Sequence, residues 1–581
     1  MSQNPASPAK LFGVSQQIHS YFDAMRNSQD RHKLLLLAVA LAAVIGATTI
    51  GQLQLNAWNE PFFNAIRNKD LLSFGRQLGV FAIIAAFLLA LNVGQTWLDQ
   101  VMKIALRECV SRDLLAQWLA PKRAFLLAGA GPIGSNPDQR IHEDARRLTE
   151  LTAALAIGFF QSMLLLLSFA GVLWLLSRGF VLHIGEVSLE IPGFMVWCAL
   201  IYAASGSWLS WRFGRPLIDL NAERYSREAE FRYGLMRASE SRDGIALYGG
   251  ELDERKRLDR ELDGAISLMR KVANATARLT WVTAGYGWFA IVAPIAAAAP
   301  GYFGGQLTFG ELMMVVGAFN QVQQALRWYV DNASNIADWR ATLLRVTSLR
   351  HSLLSIDQAE RTQTRIAVVE GAPALVLENL MVYAADHTIA VDAPVVNVNP
   401  GEHVLIIGRP GAGKSTLFRT LAGLWPWGKG RLKLPSRSST AFLPQKAYLP
   451  SGSLRDVLAY PAEASQFVEA DFVRALERTG LNHLIPMLDR DMRWDRELTA
   501  DEQQHLSFAR LLVHRPRWVI SDEALCHLNE DDSKLMFSLF EGELSKSSVV
   551  SITSNDAQHR FYSRVLHLST YPLPGIAPLS S

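Results

Sequence analysis

Six stretches of this chain carry no charged side chain, at about residues 34–55, 77–98, 151–177, 193–211, 279–300 and 312–326. A helix of roughly 20 apolar residues crosses the hydrocarbon of a bilayer, about 30 Å. The first five stretches meet that length. The sixth is shorter, with Arg327 and Asp331 near one end of a longer helix. Buried helices of soluble domains seldom run so far without a charge. Residues 1–350 are therefore expected to form an all-α transmembrane domain with six spanning helices.

The basic residues give that bundle a direction. Twenty-six Lys and Arg lie before the first stretch and in the connections at 99–150 and 212–278. Only four (Arg67, Lys69, Arg76 and Arg178) lie in the other connections. The positive-inside rule then places both termini and the two long connections in the cytoplasm, in a multi-pass inner-membrane protein. Glu186 and Glu190 fall in an external loop. Residues 1–33 lack an apolar h-region, so the first span is expected to serve as its own targeting signal. Residues 12–30 suit an interfacial helix with Tyr21, Phe22 and Met25 on its apolar side. The long connections show apolar residues at helical spacing and are expected to extend the spanning helices beyond the lipid.

Whole-chain averages conceal this division. The chain is 49% hydrophobic with a net charge of +3. Residues 1–350 hold 34 basic and 28 acidic side chains, residues 351–581 hold 23 and 26. So small a net charge argues against a nucleic-acid partner. Cys109, Cys198 and Cys526 lie too far apart for a disulfide framework or a cysteine metal site. Residues 351–368 are polar and read as a linker. Over 369–570 short β-rich runs alternate with helical segments, which predicts an α/β domain. Residues 571–581 read as a Pro/Ser-rich tail.

The chemistry lies in the second domain. His403 to Ile407 reads as a buried strand, followed by Gly408-Arg409-Pro410-Gly411-Ala412-Gly413-Lys414-Ser415-Thr416 and a helical pattern from Leu417. This is a P-loop in its proper strand–loop–helix setting. Gly408, Gly411 and Gly413 let backbone N–H groups converge on phosphate, and the helix N-terminus, with Thr416 in its first turn, favours the negative charge. Lys414 is expected to neutralise the β- and γ-phosphates, and the Ser415 hydroxyl to ligate Mg²⁺. A second buried strand, from Arg517, ends in Asp522 and Glu523. Asp522 suits the Mg²⁺-linked carboxylate, and Glu523 the group that orients the attacking water. ATP and Mg²⁺ are the expected cofactors.

A six-span domain followed by such a P-loop domain resembles an ABC half-transporter of the exporter fold. The resemblance is to the SbmA/BacA-like branch, of the YddA type, related to the ABCD group. It rests on "LNAWNEPFFNAIRNKD" (55–70), "NPDQRIHEDARRLTE" (136–150), "GRPLIDLNAERYSREAEFRYGLMR" (214–237), "IALYGGELDERKRL" (245–258) and "VDNASNIADWRATLLR" (330–345). In the second domain it rests on "LAGLWPWGKGRL" (421–432) and "FLPQKAYLPSGSLRDVLAYP" (442–461). It implies a homodimer, and it makes Gln445 the glutamine that touches metal and water. The stretch at Tyr248–Glu251 would lie near a cytoplasmic coupling element. It also implies that peptides, or a vitamin such as cobalamin, are the cargo.

Three positions depart from the family pattern. The signature Leu-Ser-Gly-Gly-Glu reads Leu498-Thr499-Ala500-Asp501-Glu502 here. Asp501 replaces a glycine and brings a carboxylate toward a γ-phosphate, an unfavourable like-charge approach. Asn529 stands where the family carries Asp, and Ser554 where it carries a switch histidine. ATP binding with weak hydrolysis is the expectation, in a transporter working by alternating access. One alternative is proton-coupled uptake with a regulatory nucleotide domain, for which Glu60 and Glu311 are the candidate carboxylates. A second is a membrane protein that senses ATP and moves nothing.

Overall fold

The computed structural model describes residues 14–26, 30–128, 137–177, 181–184, 187–359, 365–384, 387–524, 530–554 and 561–572. The chain divides into two compact units, Met1–Leu354 and Ser355–Ser581.

The first unit is helical. Its elements are α1 (Val14–Arg26), α2 (Arg31–Arg67), α3 (Leu71–Trp118), α4 (Arg123–Ala128) and α5 (Pro137–Gln139). One π turn then leads into α6 (Ala145–Leu176). A hairpin of β1 (Val181–Ile184) and β2 (Val187–Glu190) precedes α7 (Phe194–Glu240), α8 (Arg242–Tyr248), α9 (Glu251–Phe303), α10 (Phe309–Asp331) and α11 (Ala333–Ala359). Among the described residues five helices are long and apolar enough to cross a membrane: α2, α3, the helix containing α6, α7 and α9. The expected sixth span, α10, falls outside that set, because Asn320, Gln321, Gln323 and Gln324 interrupt its apolar run.

The helices start and stop for local reasons. Asp70 opens α3 by accepting the N–H groups of Leu72 and Ser73, each at 3.1 Å. Thr308 and Glu311 form a capping box at the start of α10. Gly249, at φ 62°, ends α8 and leaves Leu247 and Tyr248 exposed. With 48, 47 and 53 residues, α3, α7 and α9 are about 70–80 Å long, more than twice the hydrocarbon thickness. The long connections are thus helical continuations, as their apolar spacing predicts.

One core cluster joins α6, α7, α9 and α10 through Phe169, Leu173, Ala199, Ala298, Val315 and Phe319. Small residues bring the helices close. A Cβ on Gly310 would lie 2.3 Å from the Glu60 carbonyl, so α10 begins against the α2 backbone. α1 packs on this unit through buried Tyr21, whereas Phe22 stays exposed, so these two do not share one lipid-facing side as expected.

Three ion pairs tie α11 to the bundle: Arg147–Asp338, Arg345–Asp144 and Arg350–Asp113. Arg345 grips the buried Asp144 with two bonds, at 2.9 and 2.8 Å. The expected linker at 351–368 is largely structured. Helix α11 continues to Ala359, because Leu343, Val346, Leu349 and Leu353 extend its apolar face, and strand begins again at Ala367.

The second unit is built on one sheet. Its strands are β3 (Ala367–Glu370), β4 (Leu375–Tyr383), β5 (His387–Val391), β6 (Val395–Val398), β7 (His403–Ile407), β8 (Gly428–Leu434) and β9 (Thr440–Leu443). A two-residue pairing of β10 (Gly452–Ser453) with β11 (Asp491–Met492) lies apart, and β12 (Trp518–Asp522), β13 (Ser548–Thr553) and β14 (Arg564–Pro572) complete the sheet. Its order is β3-β8-β4-β5-β14-β7-β13-β12-β9, with β6 on β4. From β14 to β9 the pairing is parallel, and the central strands β12 and β13 are wholly buried. Helices α12 (Lys414–Leu421), α13 (Leu454–Ala459), α14 (Glu469–Arg478), α15 (Trp494–Glu497), α16 (Ala500–His514) and α17 (Glu530–Glu541) cover it. The unit extends slightly past its expected limits, since Tyr571 and Pro572 belong to β14 and not to a tail.

Asp144→Ala is expected to lower the thermal midpoint of the detergent-purified protein, at a cost of about 1.5–3 kcal/mol for the lost charged hydrogen bonds. Adding Arg345→Ala should change it little further, and fully additive losses would show that the two side chains do not act as a pair.

Candidate functional site

In a parallel sheet the C-terminal strand ends form the natural ligand site. Here β7 and β12 flank β13, so the P-loop after β7 and the carboxylates ending β12 open on the same edge. The Gly408 N–H donates to the Thr553 carbonyl at 3.1 Å, fixing the loop to β13. Gly411 and Gly413 take φ of 80° and 83°, a region open to glycine. A Cβ on Gly413 would also meet Ile389 at 2.2 Å. Helix α12 starts at Lys414, three residues before the periodicity alone suggested, because Gly413 turns the loop directly into it.

Lys414 is buried, and its Nζ donates to the Gly408 and Arg409 carbonyls at 3.1 and 3.2 Å. It also lies 3.4 Å from Glu523 Oε1. Gln445, just past β9, donates from Nε2 to Glu523 Oε2 at 3.4 Å. Glu523 itself has φ 50°, a strained setting for a glutamate, held by its N–H donating to Ile552 at 2.9 Å. Lys414, Gln445 and Glu523 are therefore in mutual reach.

Asp522 is buried, and its Oδ1 has no hydrogen-bond partner. Burial pushes its carboxyl above the usual range, with Glu523 adding to the rise, while the Ser415 hydroxyl bond, Lys414 and Arg419 oppose it. An orphaned, desolvated carboxylate oxygen beside a serine hydroxyl is a fitting donor set for a hard cation. Such a pair fits Mg²⁺, which takes one or two carboxylates and completes its shell with water and phosphate.

The altered signature has a structural role of its own. Thr499 is the N-cap of α16 and makes a capping box with Glu502. Its N–H and hydroxyl donate to Glu502 Oε2 at 2.9 and 2.8 Å. Burial works against the Glu502 carboxylate, but these bonds and His483 at 3.0 Å outweigh it and hold the group below its ordinary range. Ala500 and Asp501 occupy the exposed first turn of α16. Ser554 follows β13 directly and is exposed at the edge that carries the P-loop. Asn529 lies outside the described residues.

Sequence reasoning missed three neighbours of the P-loop. A hollow of about 500 Å³ is bounded by residues 409–412 together with His387, Thr570 and Tyr571. Val565, Thr570 and Tyr571, residues of high strand propensity, were the signal that this stretch is strand. Tyr383 does not line this hollow. Trp425 donates to its carbonyl at 2.9 Å and packs on Trp427, a packing role for both tryptophans.

Residues 25–303 match the family model "ABC transporter transmembrane region 2", and residues 392–526 match "ABC transporter". The chain is 28% identical over 535 residues to the inner membrane ABC transporter ATP-binding protein YddA of Escherichia coli, covering 90% of this chain and 92% of that one. It is 25% identical to the chloroplastic ABC transporter D family member 2 of Arabidopsis thaliana (94% and 84% covered). It is also 25% identical to the lysosomal cobalamin transporter ABCD4 of Mus musculus (87% of each). Among solved structures, a bacterial Atm1-family ABC exporter with ATP bound superposes with a TM-score of 0.69 at 16% identity, over 94% of both chains.

Because its folded pKa is raised, ionised Asp522 costs stability at neutral pH. Asp522→Asn should therefore raise the thermal midpoint of nucleotide-free, magnesium-free protein at pH 7.5. The gain should shrink as pH falls through the raised value, and vanish below the ordinary 3.8, where Asp522 is neutral folded or unfolded. A midpoint unchanged at pH 7.5 would contradict the desolvation argument.

Proposed function

Since the chain belongs to the ABC transporters, with a permease of the ABCD/YddA type fused to its ATP-binding domain, we propose that it works as a homodimeric, ATP-driven transporter of peptides or a vitamin such as cobalamin. It is a multi-pass inner-membrane protein, and a half-transporter of this fold acts as a dimer. The observation that carries the reading is the meeting of Lys414, Gln445, Asp522 and Glu523 at one sheet edge, in a chain that also holds a bundle of long apolar helices.

The residues divide the work. The P-loop N–H groups and the Lys414 ammonium neutralise phosphate charge. Ser415, Gln445 and Asp522 would hold Mg²⁺, which when bound offsets the charge of the β- and γ-phosphates. Glu523 orients the attacking water and accepts its proton. Nucleotide-dependent pairing of two copies would then drive alternating access in the membrane units. Orientation with both termini cytoplasmic follows the basic-residue bias.

Hydrolysis is proposed to be weak. Thr499 spends its hydroxyl on the α16 cap, and Asp501 places a carboxylate at the helix end that would otherwise favour a phosphate. Ser554 lacks the imidazole that steadies γ-phosphate and water. Proton coupling has less support, because Glu311, one of its two candidate carboxylates, bonds the Thr308 N–H at 2.7 Å as part of the α10 cap.

Reconstitution into liposomes with ATP on one side tests the reading, scored for labelled peptide and cobalamin. Transport is expected to need ATP and to be lost in Lys414→Ala. Transport unchanged by Lys414→Ala, and dependent on a proton gradient, would establish the rival reading. ATP turnover is expected to be low, to fall further in Glu523→Gln, and to rise several-fold in Asp501→Gly. High turnover in the unaltered chain would contradict the weak-hydrolysis proposal.

A further inference from the structure

The helical unit holds a cavity of about 630 Å³ between α2, α3, α6 and α10. That volume lies within the roughly 300–1,000 Å³ of small-molecule sites. Half of its fourteen lining side chains are carboxamides, and none is charged. Gln52, Asn56 and Asn59 contribute from α2, at the four- and three-residue spacing that puts them on one helix face. Asn92 and Gln95 face them from α3, Gln161 from α6 and Gln321 from α10.

Amides inside spanning helices often act as glue between helices. The Gln95–Gln161 bond, at 3.1 Å, is of that kind. Glue, however, closes the gap that it bridges, and here the space stays open. Gln52 Oε1 is fully buried and, among the described residues, has no hydrogen-bond partner. A buried acceptor left unmatched costs free energy unless a ligand supplies the donor. Asn56 is buried too, and its Oδ1 lies 2.3 Å from where a Cβ on Gly317 would sit, so Gly317 makes room for the amide.

The lining also defines the ligand. Each carboxamide offers one acceptor oxygen and two N–H donors. With no charge present, the cavity has nothing to neutralise a phosphate, carboxylate or ammonium. Trp58, Phe81 and Phe169 add apolar wall between the amides. We infer that this cavity binds an uncharged ligand rich in amide groups, with Gln52 accepting from a ligand N–H. Two sources share that chemistry, a short peptide segment with neutral ends and the carboxamide rim of cobalamin, whose phosphodiester would have to stay outside the lining amides. As a cargo site the cavity rests on the transport reading above, so binding and transport have to be read separately.

The test uses the full-length protein in lipid nanodiscs without nucleotide. Radiolabelled N-acetyl-trialanine amide and labelled cobalamin are the probes, measured by equilibrium dialysis. At least one is expected to bind saturably, with affinity reduced roughly tenfold in Gln52→Leu, the loss of one buried hydrogen bond. Lys414→Ala should bind as the unaltered protein does. ATP binding and thermal midpoint of Gln52→Leu show whether the variant is folded. Independently of any variant, replacing the central amide of the tripeptide by an ester should weaken peptide binding. The proposal is overturned if neither probe binds saturably up to millimolar concentration, or if a folded Gln52→Leu binds both as tightly as the unaltered chain. Gln52-dependent binding without ATP-driven transport would overturn the transport reading alone. Transport with no Gln52-dependent binding would overturn the cavity alone.

Discussion

A chain segment that crosses hydrocarbon must satisfy every backbone N–H and C=O without water, and helix is the local way to do so. In the first unit that requirement is met by helices that do not stop at the lipid boundary. Helix runs through α3, α7 and α9 well beyond the length a bilayer needs, with the hydrogen-bond ladder interrupted at Pro216 in α7 and at Pro294 and Pro300 in α9. Their ends are set by capping groups such as Asp70 and Gly249, and their spacing by close approaches such as Gly310 on Glu60.

The second unit solves a different problem. Its central strands β12 and β13 are buried on both faces, so charged chemistry gathers at their ends. Asp522 is the extreme case, a carboxylate at the end of a wholly buried strand with one oxygen unmatched. Such a group is costly in the fold and useful for binding a cation, the usual trade between stability and function. Glu523 continues the pattern with a left-handed backbone that turns its side chain toward Lys414 and Gln445.

Much of this was legible in the residues. Charge-free runs located the spans, and the P-loop and the strand ending in Asp522 located the site, because both signals depend on local residue order. What escaped depends on tertiary packing. The stretch at 351–368 looked polar, yet Leu353 is buried and continues the apolar face of α11. Thr499 and Glu502 read as a degraded signature, whereas the fold uses them as a helix cap. Tyr571 looked like the start of a tail but pairs with Thr388 in the sheet. The amides of the membrane cavity were invisible to a count of charges, since asparagine and glutamine weigh nothing in it and come together only when four helices do.

The contact between Lys414 and Glu523 bears on how the nucleotide site is read by experiment. The ammonium that should meet phosphate is already paired with the carboxylate that should meet water. On the proposed roles, a phosphate drawn to Lys414 would compete with the protein's own anion and would leave Glu523 free to meet water. A glutamate removed from position 523 also unmasks a cation, so a tighter nucleotide complex in such a variant reflects relieved competition as well as arrested chemistry.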